Sequence, residues 1–273
     1  MSSLLRIITY VFLIIGFTGT GLTTAIASCG SNSLGVSRTM RVNTQGGLRV
    51  GLVQYADTLA LRDHEVVLTF DDGPIGRATQ RILDTLAAEC TRATFFVVGS
   101  MARAHPEQLR AMYRAGHTIA AHSNRHPMNM NRMSQARAQR EINAGFESIN
   151  ITLGTLGQAA PFFRYPGLAH STAMNNWLAT QNIGIFSADI MGDDWRRISS
   201  NEILRRTMRR LNQRGRGIIL LHDIHNKTAS MLPALLRQLK DEGYRVVHIV
   251  PTNGRFRLAN EASQIPSDQE FSR

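Results

Sequence analysis

Seven short apolar runs set the limits on how this chain folds. They are VVLTF (66–70), ATFFVV (93–98), HTIAAH (117–122), PFFRY (161–165), IGIFSAD (183–189), GIILLH (217–222) and YRVVHIV (244–250). Segments of helical character lie between them. RATQRILDTLAAE carries Ile82, Leu83 and Leu86 at helical spacing. Pro106 suits a first helical turn. Ser199 and Glu202 form a capping box ahead of ILRRTMRRL. MLPALLRQLKDEG runs into Gly243, a helix stop. Strands that alternate with helices predict an α/β fold of mostly parallel strands, either an open sheet or a closed barrel.

Both architectures place their sites at the C-terminal ends of strands. Polar clusters stand at those ends here. DDGP follows the first run, HSNRH the third, RYPG the fourth, DIMGDDW the fifth and HDIH the sixth. Asp71 and Asp72 are adjacent, and like charges that close oppose each other's ionisation. Successive strand residues point to opposite sides, so the two can hold different jobs, and a nearby cation relieves the repulsion. His122 and His126 are four apart, but Pro127 disfavours helical geometry at His126. A tight turn that aims both rings into one site is the expectation. Two histidines with one carboxylate leave open positions on a divalent metal, the pattern of catalytic sites. His222 closes the sixth run with an ordinary pKa suited to proton transfer. Arg164 is placed to hold a carboxylate.

Each cluster also has a plain explanation when taken alone. DG is a common turn pair, a histidine pair can be surface hydrogen bonding, Arg164 a salt bridge, and Trp195 core packing. A phosphatase of the haloacid dehalogenase type wants two aspartates separated by one residue. The contiguous Asp71 and Asp72, followed by Gly73 and Pro74, do not match that.

The ends of the chain bear on compartment. Arg6 precedes the apolar run Ile7 to Phe17, and small residues follow, with Ala25 and Ala27 at cleavage-site positions. Residues 1–27 therefore read as a secretory signal, with an uncleaved anchor as the alternative. IASC, ending at Cys29, also resembles a lipoprotein box, which would lipidate Cys29. Cys90 is the only other cysteine. A Cys29–Cys90 disulfide and a buried free Cys90 are both open. Residues 28–63 are weakly periodic and read as a tether or wrap, 64–252 as the catalytic domain, and 253–273 as a polar tail. The expected location is exported: periplasm, cell envelope or extracellular space. Lys and Arg number 31 against 20 Asp and Glu, a net +11, and only Lys227 and Lys240 are lysines. No zinc finger, RNA-binding aromatic motif or continuous basic helix is present, so nucleic acid is not the expected partner.

TFDDGP, HSNRH, RYPG, DDW and LLHD, in this order, resemble the polysaccharide deacetylases with NodB homology, carbohydrate esterase family 4. The resemblance spans about residues 64–252. It implies a distorted barrel of about seven βα units. It also implies that Asp71 is the general base, and that Asp72, His122 and His126 bind the metal. Arg164 orients the base and His222 is the general acid. Asp194 is its carboxylate partner, although an extra residue in DIMGDDW leaves Asp189 and Asp193 as alternatives. Leu220 and Trp195 wall the acetyl pocket, beside Tyr165. Gly167 stands where the family usually has an aromatic; its N–H remains available to an oxyanion. The implied cofactor is a divalent ion, Zn first, with Co, Ni or Mn also suited. The implied reaction is N-deacetylation of an N-acetylglucosamine-containing polysaccharide or oligosaccharide: peptidoglycan, chitin-like oligomers or an exopolysaccharide. An O-acetyl esterase and a non-catalytic polysaccharide-binding module are the alternatives. The oligomeric state is not legible.

Overall fold

The computed structural model describes residues 29–30 and 32–252. The signal segment, its cleavage positions and the polar tail from residue 253 lie outside the described residues. Ten strands and seven α-helices follow in the order β1 (Arg38–Val42), β2 (Arg49–Val50), β3 (Glu65–Asp71), α1 (Gly76–Ala88), β4 (Thr94–Val97), α2 (Gly99–Ala104), α3 (Pro106–Arg114), β5 (Thr118–Ala121), α4 (Gln135–Leu153), β6 (Phe162–Phe163), α5 (Thr172–Thr180), β7 (Gly184–Phe186), β8 (Ile190–Met191), α6 (Ser200–Arg214), β9 (Gly217–His222), α7 (Asn226–Asp241) and β10 (Arg245–Pro251). Every strand pairing among the described residues is parallel.

The strands form a distorted barrel with the helices outside. β3 pairs with β4, then β5, β6 and β7 follow; on its other side β3 pairs with β9, which pairs with β8. The single segment 184–191 thus serves β6 through β7 and β9 through β8. The ring closes at a bend rather than along a continuous ladder.

Period-two alternation sorts the side chains. On β3, Val66, Leu68 and Phe70 join the cluster under the helices, and Val67 joins the smaller cluster inside the barrel. The inward set continues through Thr69 to Asp71. The same parity carries Ala120 on to His122, Phe162 on to Arg164, and Ile218 through Leu220 to His222. The inward face of each strand is apolar below and polar at its C-terminal end. That is the physical origin of the site.

The segment ahead of residue 64 is more than a tether. β1 pairs with β10, from Arg38 opposite Val247 to Val42 opposite Pro251, and β2 pairs with β7. Weak periodicity hid these strands, because each borrows its pairing from a strand far along the chain. Cys29 is bonded to Cys90. Of the two alternatives open for Cys90, the disulfide is the one present, and Cys90 is not a free thiol.

Candidate active site

Asp71 ends β3 inside the barrel and is almost wholly buried, as is Arg164. Arg164 Nη1 donates to Asp71 Oδ1 at 2.6 Å and to Thr69 Oγ1 at 2.8 Å. Its Nη2 and Nε donate to the carbonyls of Ser187 and Phe186 at 2.8 and 3.2 Å, and its guanidinium lies 4.1 Å from the Phe96 ring centroid. A guanidinium held on three sides cannot swing, so neither can the carboxylate it grips.

Asp72 follows with φ +84°, a left-handed conformation uncommon for a residue with a side chain. The turn is held from β9's end. Gly73 N–H donates to Asp223 Oδ1 at 2.8 Å, and Thr79 Oγ1 donates to Asp223 Oδ2 at 2.8 Å. A Cβ at Gly73 would lie 1.9 Å from Asp223 Oδ2, so only glycine fits. Burial pushes the Asp223 carboxyl up to about 7, against those two hydrogen bonds. Asp223, the acid of HDIH, is a site residue that nothing in the sequence pattern singles out.

The turn aims Asp72 at the histidines. Asp72 Oδ1 lies 3.3 Å from His122 Nε2 and 3.1 Å from His126 Nε2. Ser123 and His126 have φ of +64° and +56°, so HSNRH is the expected turn and not a helix. His126 N–H donates to Ser123 Oγ at 3.0 Å. Asp72 Oδ1 is nevertheless a buried atom with no well-formed hydrogen bond among the described residues. The reason is a tautomer. His122 Nδ1 donates to the Arg164 carbonyl at 2.7 Å, and a carbonyl only accepts. The neutral ring therefore turns a bare Nε2 lone pair toward the carboxylate oxygen. Two lone pairs at that distance repel unless a cation shares them. Burial works against ionisation of Asp72, and positive charge on the two rings, or a cation in its place, draws its pKa below the usual carboxylate range. One carboxylate oxygen and two imidazole nitrogens, all within 4.8 Å of one another, fit a divalent metal with positions to spare.

Across the cavity, His222 Nδ1 is 2.7 Å from Asp194 Oδ1. Asp194 is fully buried and also accepts from His222 N–H at 2.7 Å and from Thr228 Oγ1 at 2.6 Å, both on Oδ2. Burial alone would lower the imidazole pKa. The bond and charge of Asp194, with the fields of Asp71 and Asp72, outweigh it and hold His222 at about 9. Of the three carboxylates in contention, Asp194 meets the histidine. Asp193 faces away, to Arg206 and Arg210 at 2.9 Å each. Asp189 takes Leu52 N–H, Thr58 Oγ1 and Ile218 N–H at 2.9, 2.6 and 2.8 Å.

These groups border one cavity of ≈ 330 Å³ that also touches Tyr165, Gly167, Trp195 and Leu220. Arg164 and Asp194 stand behind its wall. Trp195 is exposed and meets the His222 ring edge-on at 5.7 Å between centroids. Four further lining residues, Met128, Leu168, Met191 and His225, were not singled out from the sequence. His225 was visible as the second histidine of HDIH. Met128 carried no signal. Its Cε lies 2.6 Å from where a Gly167 Cβ would be, on the side a larger residue there would fill.

Residues 59–185 match the family model described as polysaccharide deacetylase. The Bacillus subtilis peptidoglycan-N-acetylmuramic acid deacetylase PdaC is 33% identical over 186 residues, 67% of this chain and 38% of that protein. Among solved structures, the Bdellovibrio bacteriovorus peptidoglycan deacetylase Bd3279 aligns with TM-score 0.73 and 31% identity, over 84% of this chain and 63% of that one. The family 4 carbohydrate esterase from Streptomyces lividans, solved with acetate, aligns with TM-score 0.61 and 30% identity, over 70% of this chain and 95% of that one. The chain spans less than half the length of the first curated relatives it matches.

Proposed function

The chain belongs to the polysaccharide deacetylase family, the family 4 carbohydrate esterases with NodB homology, and from that premise we propose that it hydrolyses the N-acetyl groups of an acetylated amino-sugar polymer. The observation that carries the reading is the convergence of three groups on one cavity: Asp71 with Arg164, Asp72 with the two histidines, and His222 with Asp194.

Asp72, His122 and His126 would hold the metal, Zn first and Co, Ni or Mn also suited. When bound, such an ion supplies Lewis acidity, which polarises a carbonyl and acidifies a water. Asp71, steadied by Arg164, accepts the proton of the water that attacks the acetyl carbon. Gly167 lines the cavity, and its backbone N–H would serve the charge that gathers on the acetyl oxygen. His222 keeps a proton on Nδ1 toward Asp194, so its Nε2–H is the one it gives to the departing amine. The carbon–nitrogen bond breaks, and acetate and a free amino sugar leave. Leu220 and Trp195 offer an apolar wall to the acetyl methyl.

Relatives named for peptidoglycan and for chitooligosaccharide support a polymer or oligomer built on N-acetylated hexosamine. Export is the matching location, since the Cys29–Cys90 bond supports an oxidising compartment such as periplasm, envelope or extracellular space. Acetate release is the test, measured on acetylated chitooligomers, peptidoglycan and acetyl-xylan, with and without chelator. Chelator-sensitive release from the first two supports the reading. Release from acetyl-xylan alone makes the protein an O-acetyl esterase, and release from none makes it a binding module.

A further inference from the structure

Residues 51–58 precede the family-matched segment 59–185, yet they reach the wall of the catalytic cavity. They lie on the bend where the barrel ring closes. Ser187 N–H donates to Val50 O at 2.7 Å, and Val53 N–H to Ala188 O at 2.9 Å. Asp189 pins both ends of the strap, through Leu52 N–H and Thr58 Oγ1. The strap sends Gln54 onward to the 166–170 loop. Its Nε2 is 2.6 Å from Leu168 O and 2.8 Å from His170 Nδ1. The Tyr55 ring packs on the His170 ring at 5.5 Å between centroids.

The loop that receives these contacts needs holding. Gly167 and Leu168 both have positive φ, +55° and +57°. Glycine adopts that conformation freely, and leucine does so only when its surroundings impose it. Within the loop Leu168 O accepts from His170 N–H at 3.0 Å, and Gln54 adds a second donor to it from outside. The amide orientation is fixed as well, because its oxygen could not face a carbonyl oxygen at 2.6 Å. Both its N–H groups are thus committed, one to Leu168 O and one to the lone pair of His170 Nδ1.

We propose that Gln54 is a positioning residue for the reaction: its amide clamps the 166–170 loop and so sets the Gly167 N–H where the acetyl oxygen gathers charge. The kinetic half of this rests on the deacetylase reading; the clamp itself does not. Gln54 touches no reacting atom. It acts by removing freedom from a backbone donor, and a donor that is already in place stabilises the transition state most.

The discriminating variant is Gln54→Met in the full-length, oxidised, metal-loaded protein, since methionine keeps the length and bulk of glutamine and cannot donate. The expected result is a loss of about tenfold or more in kcat, at most the penalty of removing one oxyanion donor. KM, the alkaline limb of the pH profile and Tm stay at their wild-type values. Gln54→Glu, which sets an acceptor against the Leu168 carbonyl, falls further at pH 8. Hydrogen exchange at the 168–170 amides quickens in both variants, while the β3 amides are unchanged. Wild-type kcat and unaltered loop exchange in Gln54→Met overturn the proposal. Wild-type protein that releases no acetate sinks the deacetylase reading, and loop exchange then decides the clamp.

Discussion

Asp194 Oδ1 sits 2.7 Å from His222 Nδ1, with the carboxylate fully buried and the imidazole at the cavity edge. A buried charge is screened far less than an exposed one, so it acts strongly on the ring beside it.

The proton of His222 is accordingly held to a pH of about 9. The ring is the acid form below that value and loses its donor above it, so kcat/KM falls on the alkaline side. A cation near Asp71 and Asp72 cancels part of their pull and brings this limb below 9. Asp194→Asn moves the limb further, toward the ordinary 6.5. His222→Ala lowers kcat by about 10²–10⁴ and leaves metal content intact. A pH–rate series on the wild type and Asp194→Asn checks this. An unmoved limb assigns the acid elsewhere.

Metal binding and turnover should fail together in His126→Ala, which removes one of three donor atoms. Elemental analysis after dialysis reads the stoichiometry. Full occupancy in that variant rejects His126 as a ligand.

Arg164→Ala leaves Asp71 buried without its guanidinium. The expected destabilisation is about 3–5 kcal/mol, the usual cost of orphaning one member of a buried pair. Denaturant titration measures it. A change within error would mean that solvent reaches Asp71 once the arginine is gone.

Acid should weaken the fold from the other end of the barrel. His117, just ahead of β5, is held down to about 3, by burial first and with the charge of Arg92 adding to it; His248, within β10, is held to about 4 by burial and Arg92. Both are buried neutral, while in the unfolded chain they titrate near 6.5. The unfolded state therefore binds more protons between about 4 and 6.5, and stability is lost as pH falls through that window. His117→Asn keeps an acceptor for Ala93 N–H and removes one titration. Tm against pH should fall less steeply in the variant than in the wild type.

Much of this was legible because position in a strand dictates direction. Asp71, Arg164 and His222 end apolar runs on the inward parity, so their convergence follows from counting in twos. The turn at HSNRH was legible from Pro127. Which aspartate meets His222 was not, because the path of DIMGDDW depends on Arg206 and Arg210, which draw Asp193 outward from a later helix. The two N-terminal strands were equally hidden. A strand of two residues such as β2 has no period to read, and its place is fixed by a partner more than a hundred residues away. Gln54 left no mark in the sequence, since a lone glutamine in a polar loop looks like any other.

The Cys29–Cys90 bond spans 61 positions, and the enclosed stretch includes β1, β2, the strap, β3 and α1. Covalently, that stretch is a ring. A protease that cuts the strap opens the ring without freeing either end, and Asp71 and Asp72 stay joined to the same molecule as Gln54. A clipped protein would migrate as one chain until a reductant separates it into two.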